Sequence, residues 1–298
     1  MTNLTNASKW HHRFFVFVLF APSVAVLLLV VAYPLGRSVV LSLYDYNLLS
    51  PLSRPFVGLG NYRELFADAT FWEAFRTTLI FNTCTVVGGF LLGFVLALLL
   101  NTELRFRALF RALAIVPWVV PYVVIGFLFL FILNQNIGIA NYTLLQLGII
   151  EEFLPWFSRP EPALTAVIVA SIWNQFPFHM LTLLAGLQTV PEELQEAARI
   201  DGANGVQVFW HITLPWLRNI IVISTTLMMI QNFNNFAIIW TMTEGGPIRA
   251  TTTFVIYVFR KAFVEFDFGY ASAIGIVWLL VLVVFAALYM RLVEREVM

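Results

Sequence analysis

The sequence predicts an all-α membrane protein with six transmembrane helices. Of its 298 residues, 60% are hydrophobic and 11% are charged, and its mean hydropathy is +0.84, which is more apolar surface than one soluble globule can bury. Six apolar stretches are each long enough to cross a hydrocarbon core about 30 Å thick. These stretches are continuous rather than alternating, so they predict a helical bundle and not a β-barrel.

The six predicted spans divide the chain into a membrane domain and two short ends. The basic residues Lys9 and Arg13 precede the first apolar run as in a signal peptide, but no cleavage site follows, so the run is predicted to be a retained span. We expect an N-terminal segment over 1–13, a membrane domain over 14–290 and a tail over 291–298. The spans are predicted at about 14–35, 77–100, 112–133, 163–185, 219–242 and 270–290.

Basic residues near the span ends set the expected orientation. Lysine and arginine are enriched on cytoplasmic connections, and the connection 101–111 carries Arg105, Arg107 and Arg111 in a short space. We therefore expect that connection, the segment 186–218 and both termini to be cytoplasmic.

Several function classes are excluded by what the sequence lacks. It has no GxxxxGK[ST] phosphate loop, so ATP would have to be bound elsewhere, and its six apolar cores contain no Asp or Glu for ion coupling. Four dispersed histidines and the lone Cys84 offer no catalytic pair and no metal site. With a formal net charge of zero, the chain has no basic surface for nucleic acid, and membrane lipid is the surrounding it requires. We expect neither an enzyme nor a resident cofactor.

The segment 190–215, VPEELQEAARIDGANGVQVFWHITLP, contains the strongest local pattern. Pro191 suits the first turn of a helix, Glu192 and Glu193 suit its positive end, and Gly202 suits its C-terminal stop. A second short helix is expected over 206–212, before Pro215 opens the fifth span. The pattern predicts a helix, a turn and a helix held against the membrane.

This segment resembles the EAA motif of binding-protein-dependent ABC importer permeases. Glu196, Ala197 and Ala198 are followed after three residues by Gly202, and after nine more by Ile212, Leu214 and Pro215. The resemblance implies that the segment docks on a cytoplasmic ATPase and transmits its closure. The alternative is a helical hairpin without a partner. The residues expected to couple to the ATPase are Glu196, Ala197, Ala198, Asp201, Gly202, Ile212, Leu214 and Pro215.

Other short runs resemble the carbohydrate-uptake branch of that family. They are Tyr33 with Pro34, GLGNY at 58–62, Pro117 with Trp118, TEGGP at 243–247 and FDFGYASA at 266–273. The resemblance implies the type I ABC importer permease fold, a di- or oligosaccharide cargo, and a bacterial or archaeal inner membrane. It also implies a second homologous permease, two ATPase subunits that hold ATP and Mg, and an extracytoplasmic sugar-binding protein.

An amide cluster in the fifth span is the candidate cargo site. Asn232 and Asn235 are three residues apart and so are predicted to share one helix face, with Met228 one turn earlier, and neutral amides suit the hydroxyls of a sugar. Buried amides are costly in hydrocarbon unless they are satisfied, but they can also serve as packing contacts between helices, and this alternative stays open.

The resemblance to maltose-type relatives adds a second wall to this site. It implies that Asn174, Gln175 and Phe178, around Pro177, face the same cargo as Asn232 and Asn235. Maltose-type sequences tend to have a glycine and a tyrosine where this chain has Gln175 and Phe178, so we expect a cavity of different shape.

Two other functions remain as alternatives. A secondary sugar carrier or facilitator that works alone is disfavoured by the EAA segment and by the lack of intramembrane carboxylates. A membrane scaffold would not depend on Asn232 and Asn235. A further expectation is close helix contact at Gly89 and Gly93, a small-xxx-small pair in the second span.

Overall fold

A computed structural model describes the backbone of residues 6–50 and 52–297 and the side chains of residues 14–50, 52–285 and 287. Within this part of the chain β pairing is limited to two isolated bridges, Tyr44 with Phe56 and Asn47 with Asp267. The α-helices are α1 (Asn6–Leu27), α2 (Tyr33–Leu41), α3 (Gly60–Ala67), α4 (Ala69–Leu100), α5 (Arg107–Val119), α6 (Tyr122–Ile132), α7 (Ile139–Gln146), α8 (Pro160–Leu187), α9 (Glu192–Ile200), α10 (Gly205–Val208), α11 (Leu214–Phe233), α12 (Ala237–Thr243), α13 (Phe254–Phe259) and α14 (Phe268–Val297).

The predicted all-α fold with six membrane spans is confirmed. Five stretches are helical throughout and long and apolar enough to cross a bilayer, and the bent pair α5 and α6 makes a sixth. The predicted segments 1–13 and 291–298 are only partly described, since residues 1–5 and 298 lie outside the described residues. The five uninterrupted spans are Phe14–Leu41, Ala69–Leu100, Pro160–Leu187, Gly205–Phe233 and Phe268–Phe285.

The sequence predicts a third span over 112–133 that Pro117 and Pro121 can kink, and the structure breaks it into two helices. The helix stops at Val119, and α6 leaves at an angle of 99° to α5. Pro121 explains the break, because it has no backbone N–H and forces the preceding residue out of the helical region. Val120 is extended, with φ −69° and ψ 131°.

The fifth span also breaks where the sequence predicts a continuous helix over 219–242. The α11 helix ends at Phe233, and α12 begins only at Ala237. Asn232 therefore lies in the last turn of α11 while Asn235 lies in the break, so the prediction of a shared helix face is wrong. Asparagine side chains compete for backbone hydrogen bonds, and Asn234 Nδ2 donates to the Ile230 carbonyl oxygen at 3.2 Å.

At its start, the fifth span is more continuous than the sequence predicts. Instead of a separate short helix over 206–212, the chain is helical without interruption for 29 residues, Gly205–Phe233. A π-helical turn, Phe209–Thr213, precedes Pro215, and the Leu214 N–H bonds the Phe209 carbonyl across it. The wider turn changes the hydrogen-bonding register ahead of the proline, so the helix continues through it.

One compact unit combines residues 1–67 with 258–283. Asn61 is buried inside α3, and its amide nitrogen donates to the carbonyl oxygens of Ser42 at 2.8 Å and Tyr44 at 3.0 Å. Asp267 precedes α14, and its Oδ1 accepts from the Tyr270 N–H at 3.0 Å as a helix cap. Burial raises the pKa of the Asp267 carboxyl, although the Tyr270 hydrogen bond and Lys261 oppose the rise.

The second compact unit, residues 68–257 with 284–298, contains two apolar cores. The first, which we call the α6–α12 core, joins α6 and α12 to parts of α4, α8 and α13, with Phe81, Ile125 and Ile239 fully buried or nearly so. The second, the α8–α11 core, joins the later parts of α4 and α8 to α11 around Met180 and Leu217. Along α4 and α8 the α6–α12 core comes first, and buried polar residues separate it from the α8–α11 core.

Close packing of α4 on α8 holds these cores together. A methyl group added at Gly93 would lie 2.7 Å from both the Phe176 carbonyl oxygen and His179 Cβ, which is too close for any other residue type. At Gly89 the nearest atom, His179 Cδ2, is 3.5 Å away, an ordinary contact. The predicted helix contact at this glycine pair is confirmed, but only Gly93 requires a glycine.

Candidate coupling loop and cargo site

The helix α9, which carries the glutamate and alanines of the predicted motif, has a closed C-terminal end. Pro191 occupies the N-cap rather than the first helical position, and Gly202 adopts φ +90° just beyond the end. The N–H of Ala203 bonds the Ala198 carbonyl at 2.9 Å and the N–H of Gly202 bonds the Arg199 carbonyl at 3.1 Å. This pair of bonds is a Schellman motif, which requires the left-handed conformation that glycine adopts readily.

Four residues separate α9 from α10, and α10 begins with a second hydrogen-bonded cap. Asn204 Oδ1 accepts from the Gln207 N–H at 2.9 Å, and Gln207 Oε1 accepts from the Asn204 N–H at 2.8 Å. This reciprocal pair is a capping box, which satisfies two backbone donors at once. The turn between α9 and α10 is therefore fixed on both sides by its own backbone and side chains.

A pocket of about 300 Å³ lies between α9 and the start of the Gly205–Phe233 helix. Four predicted coupling residues line it, while Glu196 and Ala197 are exposed on α9. No residue of α9 is buried, and its apolar Leu194 and Ile200 are 46% and 86% exposed. The pocket residues are Ala198, Asp201, Gly202, Ala203, Gln207, Val208, His211 and Ile212.

A layer of buried polar side chains separates the two apolar cores of the second unit, and we call it the polar layer. Its members lie on α4, α8 and the last turn of α11, with one in the break before α12. Each is less than 9% exposed, in a region where apolar side chains would be the rule. They are Asn82, Thr85, Ser171, Asn174, Gln175, His179, Asn232 and Asn235.

Two neighbouring amides of α8 contact the two broken helices. Asn174 Nδ2 donates to the Pro117 carbonyl oxygen at 3.0 Å, at the end of α5. Gln175 and Asn232 bond each other reciprocally: Asn232 Nδ2 donates to Gln175 Oε1 at 3.0 Å, and the Gln175 amide donates to Asn232 Oδ1. The structure thus unites Asn232 with Gln175 on facing helices, as the sequence predicts for one site.

The remaining predicted cargo residues surround this pair. Met228 is 1% exposed and lies one turn before Asn232 on α11. Phe178 is partly buried and packs against Trp118 with the ring centroids 6.0 Å apart. Asn235 is 8% exposed in the helix break, and its Oδ1 has no hydrogen-bond partner within the described chain.

Other polar atoms of the layer also lack partners among the described residues. They are Asn82 Oδ1, Thr85 Oγ1, Ser171 Oγ and both ring nitrogens of His179. A buried polar atom without a hydrogen bond costs roughly 1–3 kcal/mol, so the layer holds capacity for further polar contacts. Asn82 Nδ2 reaches the Met229 carbonyl at 3.3 Å, which connects α4 to the same region of α11.

Sequence reasoning missed Asn82, Thr85 and Ser171. Asn82 and Thr85 lie in the short run NTCT at 82–85, and Ser171 is a single polar residue among apolar ones, patterns that membrane helices tolerate at many positions. For Asn82 and Thr85 the available signal was spacing, because together with Gly89 they follow one face of α4 at intervals of three and four residues.

The fold defines this chain as a multi-pass helical membrane protein, and comparison with known proteins identifies its family. Residues 89–298 match the model described as "Binding-protein-dependent transport system inner membrane component". The chain is 34% identical to the sulfoquinovosyl glycerol transport system permease protein SmoG of Agrobacterium fabrum, over 95% of this chain and 92% of the relative. It is 31% identical to the sn-glycerol-3-phosphate transport system permease protein UgpA of Yersinia pestis, over 94% of each.

Solved structures agree on the fold. A bacterial alginate ABC transporter in complex with an alginate pentasaccharide-bound periplasmic protein matches with a TM-score of 0.83 at 20% identity, over 98% of each chain. The chain belongs to the family of binding-protein-dependent transport system inner membrane components. It is a permease of a binding-protein-dependent importer in the inner membrane, and not an enzyme.

Proposed function

We propose that this chain is one of two homologous permease subunits of an ATP-driven sugar importer. Its other partners are two ATPase subunits, which hold ATP and Mg, and an extracytoplasmic sugar-binding protein. The observation that carries the coupling part is α9, a nine-residue helix with no buried residue but with hydrogen-bonded turns at its C-terminal end.

An exposed short helix of this kind favours a docking role. Isolated helices shorter than about 12 residues are marginal in water, so α9 gains stability from a surface that covers it. Its exposed apolar residues, Leu194 and Ile200, give such a surface something to bury. The predicted coupling residues Glu196 and Ala197 lie on the same exposed helix, and an ATPase groove is the partner that the family implies.

The helix Gly205–Phe233 offers a mechanical path from this loop to the polar layer. It is continuous over 29 residues, roughly 43 Å at 1.5 Å per residue, and contains Ile212, Leu214 and Pro215 near its start and Asn232 near its end. Closure of the ATPase against the loop would displace this helix as a rigid body. Both termini and the coupling loop are cytoplasmic in this proposal.

The polar layer supports a neutral, hydroxyl-rich cargo. Its amides Gln175, Asn232 and Asn235 lie near the side chains of Phe178 and Met228, and none of its members is a carboxylate, a lysine or an arginine. Amides can exchange their mutual hydrogen bonds for bonds to sugar hydroxyls without burying a charge. Asn174 remains a predicted cargo contact, although one of its amide hydrogens already engages Pro117.

Uptake by reconstituted vesicles tests this function. Vesicles with the chain and its partners, or with the chain alone, receive a labelled neutral disaccharide, a labelled glycosyl glycerol or labelled glycerol phosphate. We expect uptake of one of the two glycosides, and only with the partners, the binding protein and ATP. Uptake by the chain alone without ATP would establish a secondary carrier, and uptake of glycerol phosphate alone would contradict a sugar cargo.

Cargo contact is tested with Asn235→Leu in the same vesicles. We expect its KM for the transported glycoside to rise about tenfold, because a bond to a sugar hydroxyl is lost. The matched control is Thr182→Val, since Thr182 lies on α8 outside the polar layer and bonds its own helix at 2.7 Å. An unchanged KM in Asn235→Leu would remove Asn235 from the cargo site.

A further inference from the structure

The break between α5 and α6 leaves the last backbone carbonyls of α5 without helical partners, and the buried Pro117 carbonyl is one of them. In an α-helix the carbonyl of residue 117 accepts from the N–H of residue 121. That residue is Pro121, which has no N–H, so the Pro117 carbonyl cannot be satisfied by its own helix. Pro117 is buried, where an unsatisfied carbonyl is costly.

Asn174 supplies the missing donor from another helix. Its amide nitrogen lies 3.0 Å from the Pro117 carbonyl oxygen, and the bond is fully buried. The side chain of Asn174 is 1% exposed on α8, 57 residues further along the chain. The Pro117 carbonyl of α5 and the Asn174 amide of α8 are therefore paired across two helices.

The bend that this bond fixes determines how α6 packs. On α6, Gly126 meets α12 so closely that an added methyl group would lie 2.6 Å from Thr241 Cβ. Ile125 and Phe129 of α6 are buried in the α6–α12 core with Ile238 and Ile239 of α12. A change of the α5–α6 angle would separate these surfaces.

We propose that Asn174 is a positioning residue, which holds the α5–α6 bend by donating to Pro117 the hydrogen bond that Pro121 cannot, and so keeps α6 packed on α12. This role does not depend on any cargo and goes beyond the proposed transport function. It also differs in a testable way from a cargo contact, since only a positioning role links the effect of Asn174 to Pro121.

Hydrogen exchange of the full chain in lipid nanodiscs measures this link. Asn174→Leu removes the donor at similar volume, and we expect the amides at 125–128, the first in α6 with helical acceptors, to exchange about fivefold faster, the factor for one lost hydrogen bond. In a Pro121→Ala background residue 121 has its own N–H, and the same substitution should change exchange less than twofold. Asn174→Ala, which removes the same donor without added bulk, carries the test if Asn174→Leu does not accumulate.

The neighbouring amide provides the matched control. Gln175→Leu removes a bond to Asn232 but leaves the Pro117 carbonyl satisfied, so its effect should appear near the end of α11 and be the same in both backgrounds. Equal acceleration at 125–128 by Asn174→Leu with and without Pro121 would show that Asn174 only fills space. No acceleration with Pro121 present would show that the bond does not hold the bend.

Distances between spin labels provide a second readout. Leu109 on α5 and Phe131 on α6 are both more than half exposed and suit labelling, once the exposed Cys84 is replaced by serine. We expect Asn174→Leu to broaden the distance distribution and the added Pro121→Ala to narrow it again. A distribution that Asn174→Leu leaves unchanged would overturn the proposal.

Discussion

At the scale of single residues, the buried amides of the polar layer are costly unless they are paired. Gln175 and Asn232 satisfy each other across α8 and α11, so neither amide is isolated in the apolar surroundings. The energetic consequence is asymmetric, because removing one member strands the other whereas removing both strands none.

A double-mutant cycle on this pair tests that asymmetry. We expect Gln175→Leu and Asn232→Leu each to lower the free energy of unfolding by about 1–3 kcal/mol. The double substitution should cost at least about 1 kcal/mol less than the sum of the two single substitutions. The measurement is reversible unfolding in mild detergent, and additive effects would show that the two amides do not stabilise each other.

The two glycines of α4 provide a second residue-scale test. Gly93→Ala should destabilise the chain by about 1–3 kcal/mol, because its new methyl group would overlap the backbone of α8. Gly89→Ala has room for the methyl group and gains helix propensity, so it should be neutral or stabilising by up to about 1 kcal/mol. Equal thermal midpoints for the two variants would contradict the packing described here.

At the scale of elements, helix ends and breaks shape both candidate sites. The caps around Gly202 and Asn204 fix the coupling loop, and the breaks after Val119 and Phe233 bring α6 and α12 into one core. Local backbone chemistry decides each of these positions: a left-handed glycine, a capping box, a proline and a run of asparagines.

The turn after α9 can be tested with two glycines that differ only in conformation. Nothing lies within 4 Å of an added methyl group at Gly202 or Gly205, but only Gly202 has φ +90°. Gly202→Ala should destabilise by about 1–2 kcal/mol because of left-handed strain. Gly205→Ala, in the first turn of a helix, should be neutral or stabilising. The comparison is of thermal midpoints, and a harmless Gly202→Ala would argue against the Schellman turn.

The cap of α14 predicts a pH dependence. Burial holds the pKa of Asp267 above its unfolded value, and Asp45 and Glu265 add to the rise while Lys261 opposes it. The protonated carboxyl is therefore favoured in the folded state, and its contribution to stability is lost as the pH rises through the raised pKa.

Asp267→Asn keeps an oxygen for the Tyr270 N–H but cannot ionise. We expect the stability of Asp267→Asn relative to the natural chain to increase from about pH 4 to pH 7, as the natural carboxyl ionises at a penalty. Thermal midpoints of the two proteins across this range provide the measurement. Parallel curves would show that the ionised carboxylate is not disfavoured in the folded state.

At the scale of the whole molecule, the sequence predicts the fold class and the family but not the breaks within spans. Long apolar runs determine six spans, and the spacing from Glu196 to Pro215 predicts the coupling loop. Pro121 indicates that the third span can kink, but a hydropathy pattern does not show that the helix breaks there, because the flanking residues are equally apolar. The break at Asn234 is hidden because the residues on both sides of it have a similar composition.

The candidate cargo site could be predicted only in part, for a related reason. Periodicity places residues on one helix face, but the pairing of Gln175 with Asn232 depends on how α8 and α11 pack. The joint position of Asn82, Thr85 and Ser171 depends on the close α4–α8 contact at Gly93. Contacts between distant segments of the chain are set by tertiary packing, which a single sequence does not specify in readable form.

We infer that the loop 190–215 couples this permease to an ATPase. Affinity purification of the chain from its native membrane in mild detergent, followed by mass spectrometry of the proteins that accompany it, tests this coupling most directly. We expect a P-loop ATPase and a second permease to co-purify with the natural chain and with the control variant Glu193→Ala, which changes another exposed residue of α9. Replacement of Glu196 and Gly202 by alanine should remove the ATPase while the second permease stays. Recovery of the chain alone, or full retention of the ATPase by the Glu196 and Gly202 variant, would contradict the claim.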